Sequence, residues 1–339
     1  MKYVTVFIPT FNGEKYIEES LRSILGQELP NDYKLEVLLT DSGSSDQTLR
    51  IIDRYKDRIT INQIPNSEFS HSQTRMSAAL RAKGEFIVFL TQDATPINKH
   101  WLKNLIEPFY MSDKIGIVFG KQVPRPNAVA TIKREVATAF MSLTSSPESI
   151  LVHRHLSLID SKPIAPLNTF FSDVNSAVRK DILINEVPFR KVSYAEDQSL
   201  AEDMLTRGYL KAYSTLAAVW HSNEFTPKEY MKRKFDEYIG LKESTQFNLQ
   251  IGLRSVLLGW IKPTLLDFRF ILKDIEYSKK SKLLWFIKSP LYNIYGKLGY
   301  YLACKHFNNP EKRSRISLES INRSSAQGYT NQEKHRNNL

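Results

Sequence analysis

The chain has 339 residues, 42% hydrophobic and 24% charged, a globular composition with length for one large domain or two small ones. Cys304 is the one cysteine, which excludes a disulfide framework and a cysteine-held metal cluster and fits a reducing compartment. There is no 18-residue apolar stretch, the apolar run at residues 3–9 is too short for a secretory core, and no lipidation signature is read at either end.

Residues 3–9 read as a buried strand, followed by the turn Thr10-Phe11-Asn12-Gly13. Apolar residues at 17, 21, 24 and 25 predict a helix over 14–26. A second strand at 35–39 runs into the polar turn 40–46, where Ser45 or Asp46 can cap a helix to about residue 55. A strand at 59–64, a helix over 70–82 carrying Arg75, and a fully apolar strand at 86–90 follow. This alternation predicts a parallel α/β sheet. Neither Gly-x-Gly-x-x-Gly after the first strand nor a phosphate loop of the Gly-x4-Gly-Lys type is present, which disfavours an NAD dehydrogenase or a P-loop ATPase.

Further on, 101–110 reads as a helix and 115–119 as a strand ended by Pro124-Arg125-Pro126-Asn127. Residues 128–170 mix helix with a mobile loop, and 170–178 looks like a strand containing Asp173, Asn175 and Ser176. Glu196-Asp197 opens a helix running to Arg207 and stopped by Gly208; short strands at 210–213 and 217–220 lead to His221. From Pro227 the pattern is helical. The expected organisation is a catalytic domain over 1–225, a basic helical region over 226–305 and a polar, flexible tail over 306–339.

Open α/β sheets bind ligands past the carboxyl ends of their strands. Asp93 stands at such an end, where a carboxylate can hold a hard cation. Asp41 can accept from a base or ribose, or simply organise its own turn. Arg75 suits a phosphate or Asp41, or a solvated helix face. Glu196-Asp197 either complements the helix dipole or supplies a general base. His221 is a metal ligand beside Asp93 or an ordinary hydrogen-bonding histidine. Together these residues form a set for group transfer from a nucleoside diphosphate: the metal neutralises the leaving diphosphate and the base activates the nucleophile.

The residues Val6 to Glu14, Thr40 to Thr48, Arg75, Thr91-Gln92-Asp93, Glu196-Asp197 and Trp220-His221 resemble the family 2 glycosyltransferases of GT-A fold, in that family's order over residues 1–225. The resemblance implies a Rossmann-like α/β nucleotide-diphospho-sugar transferase with a helical C-terminal extension. It implies that Thr10, Glu14, Asp41, Arg75, Gln92 and Asp93 bind the nucleotide-sugar, that Asp93 and His221 hold Mg2+ or Mn2+, and that Asp197, with Glu196, is the catalytic base of an inverting transfer. Asn175, Ser176 and Trp220 would contact sugar or acceptor. Thr91 replaces the first Asp of the family's Asp-x-Asp, and Ser42 replaces a second Asp in the nucleoside turn; both put weight on the residues that remain. Phe89 to Pro96 and Phe69-Ser70-His71 further resemble the rhamnosyltransferase branch of bacterial surface polysaccharide synthesis. That branch implies dTDP-L-rhamnose as donor and a lipid-linked glycan as acceptor, at the cytoplasmic, inner face of the cell membrane, where the protein would be peripheral. A UDP-sugar transferase and a non-catalytic scaffold of a polysaccharide-assembly complex are the alternatives.

The net charge of +11 sits largely at the end: residues 250–339 hold 16 Lys and Arg against 6 Asp and Glu, which points to a polyanionic surface. Leu283, Ile287, Leu291, Ile294, Leu298 and Leu302 form one helical face, with Pro290 a possible kink, and Lys, Trp and Tyr surround it. Such a helix is expected to lie on an anionic membrane surface, or to pack on the catalytic domain or a second subunit of a homo-oligomer. Nucleic acid is not expected as a partner, because no nucleic-acid-binding module is recognised.

Overall fold

The computed structural model describes residues 1–144, 146, 148–153, 170–192, 194–244, 250–318 and 320. It divides into two compact units. The first holds Met1–Val123 and Phe140–His221; the second holds Pro124–Ala139 and Ser222–Leu339. The expected boundary at residue 225 therefore falls at His221/Ser222, and the segment Pro124–Ala139 belongs with the C-terminal unit.

Among the described residues of the first unit, nine strands make one sheet: β1 (Lys2–Thr10), β2 (Tyr33–Asp41), β3 (Thr60–Gln63), β4 (Phe86–Leu90), β5 (Thr95–Pro96), β6 (Ile115–Val123), β7 (Ile150–His153), β8 (Asn175–Arg179) and β9 (Leu210–Trp220). Their order is β3-β2-β1-β4-β8-β6-β9-β5, with β7 on β9. The first four strands are parallel, as expected. The full sheet is not: β8 runs antiparallel to both β4 and β6, and β5 and β7 run antiparallel to β9. A sequence pattern of alternating strand and helix covers only the first ninety residues, so it carried no information about β8.

The parallel strands are apolar on both faces because helices cover them. Every residue of Phe86–Leu90 is buried, and the helix Ile17–Leu25 buries Ile17, Leu21 and Ile24 at helical spacing. Fully burying one such side chain stabilises the fold by about 1.5–3 kcal/mol. Phe86 stacks on Phe109 at 4.4 Å between ring centroids, and the Arg179 guanidinium lies over both rings. The expected strand over 170–178 begins only at Asn175, and the two short strands at 210–220 are one continuous strand. In the β6–β9 pairing the register shifts between Gly120 and Gln122, so polar Ser214 and Thr215 sit within β9 without ending it. Of the stretch 128–170, read as helix mixed with a mobile loop, residues 130–143 form a helix and 150–153 a strand, and 154–169 lie outside the described residues.

The second unit is helical: Pro227–Ser244, Leu253–Leu258, Ile261–Lys273, Lys279–His306 and Pro310–Ile316, with the start of Ala130–Leu143. Pro290 lies inside the long helix without ending it. That helix meets Pro227–Ser244 through its glycines; a Cβ on Gly299 would stand 2.3 Å from the Met231 carbonyl oxygen. Residues 310–316 are helical where a flexible tail was expected, and 321–339 lie outside the described residues.

Candidate active site

Three loops at the carboxyl ends of β1, β2 and β4 are tied together by side chains. Gln92 docks on Phe11 from both sides, its Oε1 accepting from the Phe11 N–H at 2.8 Å and its Nε2 donating to the Phe11 carbonyl at 2.9 Å. A Cβ at Gly13 would collide with the Gln92 amide at 2.4 Å, so residue 13 must be small. Asn12, at φ 48°, accepts from the Ser45 N–H at 2.8 Å, and Glu14 accepts from the Gln47 N–H at 2.9 Å. Asp46 returns the contact, accepting from the Glu14 N–H at 3.1 Å.

Asp41 is 1% exposed, and its Oδ1 accepts from the Gly43 and Ser44 N–H groups at 3.0 and 2.9 Å while Oδ2 accepts from the Ser44 hydroxyl. The turn-organising alternative thus describes its bonds in this structure. Thr10 is buried at the end of β1, and its hydroxyl has no hydrogen-bond partner among the described residues.

A second group of acids sits where β4 meets β8. Arg75, on the buried side of the helix His71–Arg81, is 4% exposed. Its Nη1 donates to Glu196 Oε1 at 2.8 Å and its Nε lies 3.2 Å from Asp173 Oδ2. In this structure the guanidinium pairs two buried carboxylates rather than facing solvent. Asp173 Oδ1 accepts from the Ser176 hydroxyl at 2.7 Å, and the Asp173 N–H donates to Asp197 Oδ2 at 3.3 Å. Asp197 Oδ1 accepts from the Gln198 N–H at 2.8 Å. Glu196 and Asp197 begin the helix Glu196–Thr206, and the residue before them, Ala195, is left-handed at φ 58°, ψ 34°. A left-handed non-glycine is strained, and here the strain aims the acid pair.

Burial, reinforced by the neighbouring Glu196 and Asp173 charges, pushes the Asp197 carboxyl up to about 8 against the opposing pull of Arg75. Burial also pushes Asp173 up to about 6, with Arg75 pulling down and Glu196 pushing up. One guanidinium faces three acids, so the group resists full ionisation.

Asp93 and His221 meet where β4, β6 and β9 end. His221 is buried, and its Nε2 lies 3.4 Å from Asp93 Oδ2. Its Nδ1 lies 3.1 Å from Gln122 Oε1, while Gln122 Nε2 donates to the Ser172 hydroxyl at 3.0 Å. That orientation of the amide makes Nδ1 a donor to Gln122 and turns Nε2 toward the Asp93 carboxylate. A ring nitrogen and a carboxylate oxygen face each other, a pair that can share a proton or turn to a cation. Burial would raise the Asp93 carboxyl, but the His221 ring outweighs it and holds it down at about 2. Among the described residues no cluster of three His, Cys, Asp or Glu surrounds this point, so the donor set fits a cation that takes its other ligands from phosphate oxygens and water, as Mg2+ does.

Asn175 and Ser176 are both 0% exposed. Asn175 accepts from Trp101 Nε1 at 2.9 Å and donates to the Lys121 and Ala217 carbonyls at 3.2 and 2.8 Å. It braces β8 against its neighbours, and the Ser176 hydroxyl donates to Asp173. Trp220 is half-buried at the end of β9, paired with Thr95.

The family model for glycosyl transferase family 2 matches residues 5–185, more than half of the chain. The chain belongs to glycosyl transferase family 2. As a family 2 glycosyltransferase it is 28% identical to the O-antigen chain rhamnosyltransferase RfbN of Salmonella typhimurium, with 90% of each chain covered. It is 27% identical to the O-antigen chain rhamnosyltransferase WbaN of Salmonella anatum, with 91% of each covered. Among solved structures, a mannosyltransferase from Pyrobaculum calidifontis in complex with GDP-Man and Mn2+ superposes with a TM-score of 0.58 at 18% identity, covering 91% of this chain and 87% of that one. The fold of this family 2 glycosyltransferase is GT-A.

Asp173 and Gln122 were not named as site residues from sequence. Each carried a signal: Asp173 is a charge beside Phe170, Phe171 and Val174, and a buried charge needs a partner. Gln122 is a polar residue closing an apolar strand.

Proposed function

We propose that this glycosyltransferase moves L-rhamnose from dTDP-L-rhamnose to a hydroxyl of a lipid-linked glycan at the cytoplasmic face of the cell membrane. The rhamnosyl and glycan assignments are supported by the two O-antigen rhamnosyltransferases, similar along nine-tenths of the chain. The observation that carries the mechanism is Asp197. A carboxyl pushed up to about 8 is a strong base for its kind, and a general base works best when its pKa lies near the operating pH.

In this reading Asp197 takes the proton from the acceptor hydroxyl as that oxygen attacks the anomeric carbon. The bond from that carbon to the diphosphate oxygen breaks on the opposite face, and the configuration inverts. Arg75 and Asp173 hold Glu196 and Asp197 at the helix start. The loops joined through Gln92, Asn12 and Glu14 form the nucleoside side, with Thr10 and Asp41 shaping them. Asp93 and His221 would hold Mg2+ or Mn2+, which when bound supplies positive charge to the departing diphosphate. Thr91 in place of a second carboxylate leaves Asp93 as the one acidic ligand of the 91–93 loop.

The test is turnover of a panel of dTDP- and UDP-sugars with a glycan acceptor and Mg2+, Mn2+ or EDTA, read as released nucleoside diphosphate. Release confined to dTDP-rhamnose and abolished by EDTA supports the reading. Release from a UDP-sugar overturns the rhamnose assignment and keeps the mechanism.

A further inference from the structure

A helix of a water-soluble unit normally turns its apolar stripe inward. In the second unit two consecutive helices turn an apolar stripe outward as well, while Ile271, Tyr292 and Ala303 pack inward. Ile261–Lys273 buries Thr264, Asp267 and Ile271, at helical spacing. Asp267 is 0% exposed and is held by the Thr131 hydroxyl at 2.7 Å, Asn293 Nδ2 at 2.6 Å and the Arg134 guanidinium. Ile261, Leu265, Leu266 and Leu272 are on the outside. The helix Lys279–His306 repeats the pattern, burying Ser289, Asn293, Gly296 and Gly299 and exposing Leu283, Ile287 and Leu291 at every fourth residue. Phe268 and Phe286, 4.8 Å apart, join the two helices from within. The connection between them presents Ile275, 95% exposed. Of the stripe read from the sequence, Leu283, Ile287 and Leu291 face outward, while Ile294, Leu298 and Leu302 are half-buried.

Cations border this apolar face. Lys262, Arg269, Lys273, Lys279, Lys280 and Lys288 are exposed. The acids of the same stretch are paired with cations of the unit: Asp267 with Arg134, and Asp274 and Glu276 sharing Lys133, each at 2.6 Å. We infer that this helical pair is a membrane-docking face that lies in the headgroup layer of an anionic bilayer, its exposed leucines and isoleucines among the acyl chains and its lysines on the phosphates. Leucine interleaved with lysine matches that chemistry. A second copy of the chain would bring like charges together across the same face, which disfavours self-association. No described helix is long and apolar enough to cross a membrane, so the contact is interfacial. The inference is independent of the donor sugar and of catalysis.

The experiment is co-sedimentation of the full chain with vesicles of phosphatidylcholine alone and of phosphatidylcholine with 30% phosphatidylglycerol (about one lipid in three), without nucleotide or glycan. Binding to the anionic vesicles at least tenfold tighter than to the neutral ones is expected. A Leu265→Gln, Ile287→Gln double variant should lose at least tenfold of that binding while keeping the parent's thermal midpoint, since both side chains are exposed. A Lys279→Glu, Lys280→Glu variant should lose the preference for anionic lipid. Equal binding by parent and leucine variant, or no binding by the parent, overturns the inference. So does a concentration-dependent dimer that the same leucine substitutions abolish, which would assign the face to a second copy.

Discussion

Arg75 donates to Glu196 at 2.8 Å across 121 residues of sequence, joining the helix before β4 to the helix that carries the acid pair. The same guanidinium stands beside Asp173. All three side chains are nearly inaccessible to water. Removing one member of a buried ion pair leaves an uncompensated charge, at a cost of about 3–5 kcal/mol. Arg75→Met should therefore lower the urea midpoint of unfolding with its slope unchanged, and Arg75→Lys, which keeps the charge but not the fork, should fall between. A midpoint within error of the parent's for Arg75→Met would show that the pairing contributes little.

The acid group also sets a pH dependence. The Asp197 carboxyl, raised to about 8, must lose its proton to act as a base. Activity as kcat/KM should therefore rise with pH through about 8 and level off above it, because that parameter reports the free protein. Asp173 is one of the like charges that hold Asp197 up. In Asp173→Asn the rising limb should move to lower pH by roughly half a unit to one unit, each unit being about 1.4 kcal/mol of differential interaction. Asn keeps the backbone N–H that reaches Asp197 and can still accept from Ser176. An unmoved limb with reduced rate would reduce Asp173 to a packing role.

Gln122 meets the His221 ring at Nδ1 and so orients it. Groups of this kind typically alter metal affinity by about 10–100-fold. Gln122→Leu should raise the concentration of Mn2+ or Mg2+ needed for half-maximal turnover by that factor, with the rate at saturating metal close to the parent's. The same loss at every metal concentration would point to a disturbed fold, which a thermal melt would reveal.

Ala195 carries the left-handed turn into the acid pair. Its Cβ costs about 1–2 kcal/mol there, of which glycine's extra chain entropy takes back a part. Ala195→Gly should raise stability by roughly 0.5–1 kcal/mol at equal activity, measured by denaturant unfolding. A loss of stability would place the helix start in a different conformation.

Much of this arrangement was legible in the sequence, and its gaps have physical causes. Phe86–Leu90 was bounded correctly because a strand buried on both faces is apolar at every position. Asp93, His221 and Glu196-Asp197 stood out as candidates because polar groups at strand and helix ends contrast with such runs. The burial of Asn175 and Ser176 was not legible because sequence shows their polarity and not their burial, and β8 packs between two strands with the side-chain polar atoms of Asn175 satisfied. The pairing of Arg75 was not legible because its partners lie about a hundred residues away. The antiparallel insertion of β8 is a long-range pairing with no local pattern. The leucines of the second unit were periodic in sequence, yet periodicity does not say which side faces water; Asp267 and Asn293 on the inner side decide that.

The most direct test of the account is nucleoside diphosphate release by Asp197→Asn, with donor affinity measured on the same samples. Asn keeps the size and the backbone contacts and loses the base. The account predicts a fall in turnover of about 10²–10⁴-fold, with donor affinity and thermal midpoint retained. Turnover within tenfold of the parent would contradict Asp197 as the base and move the chemistry elsewhere in the acid group.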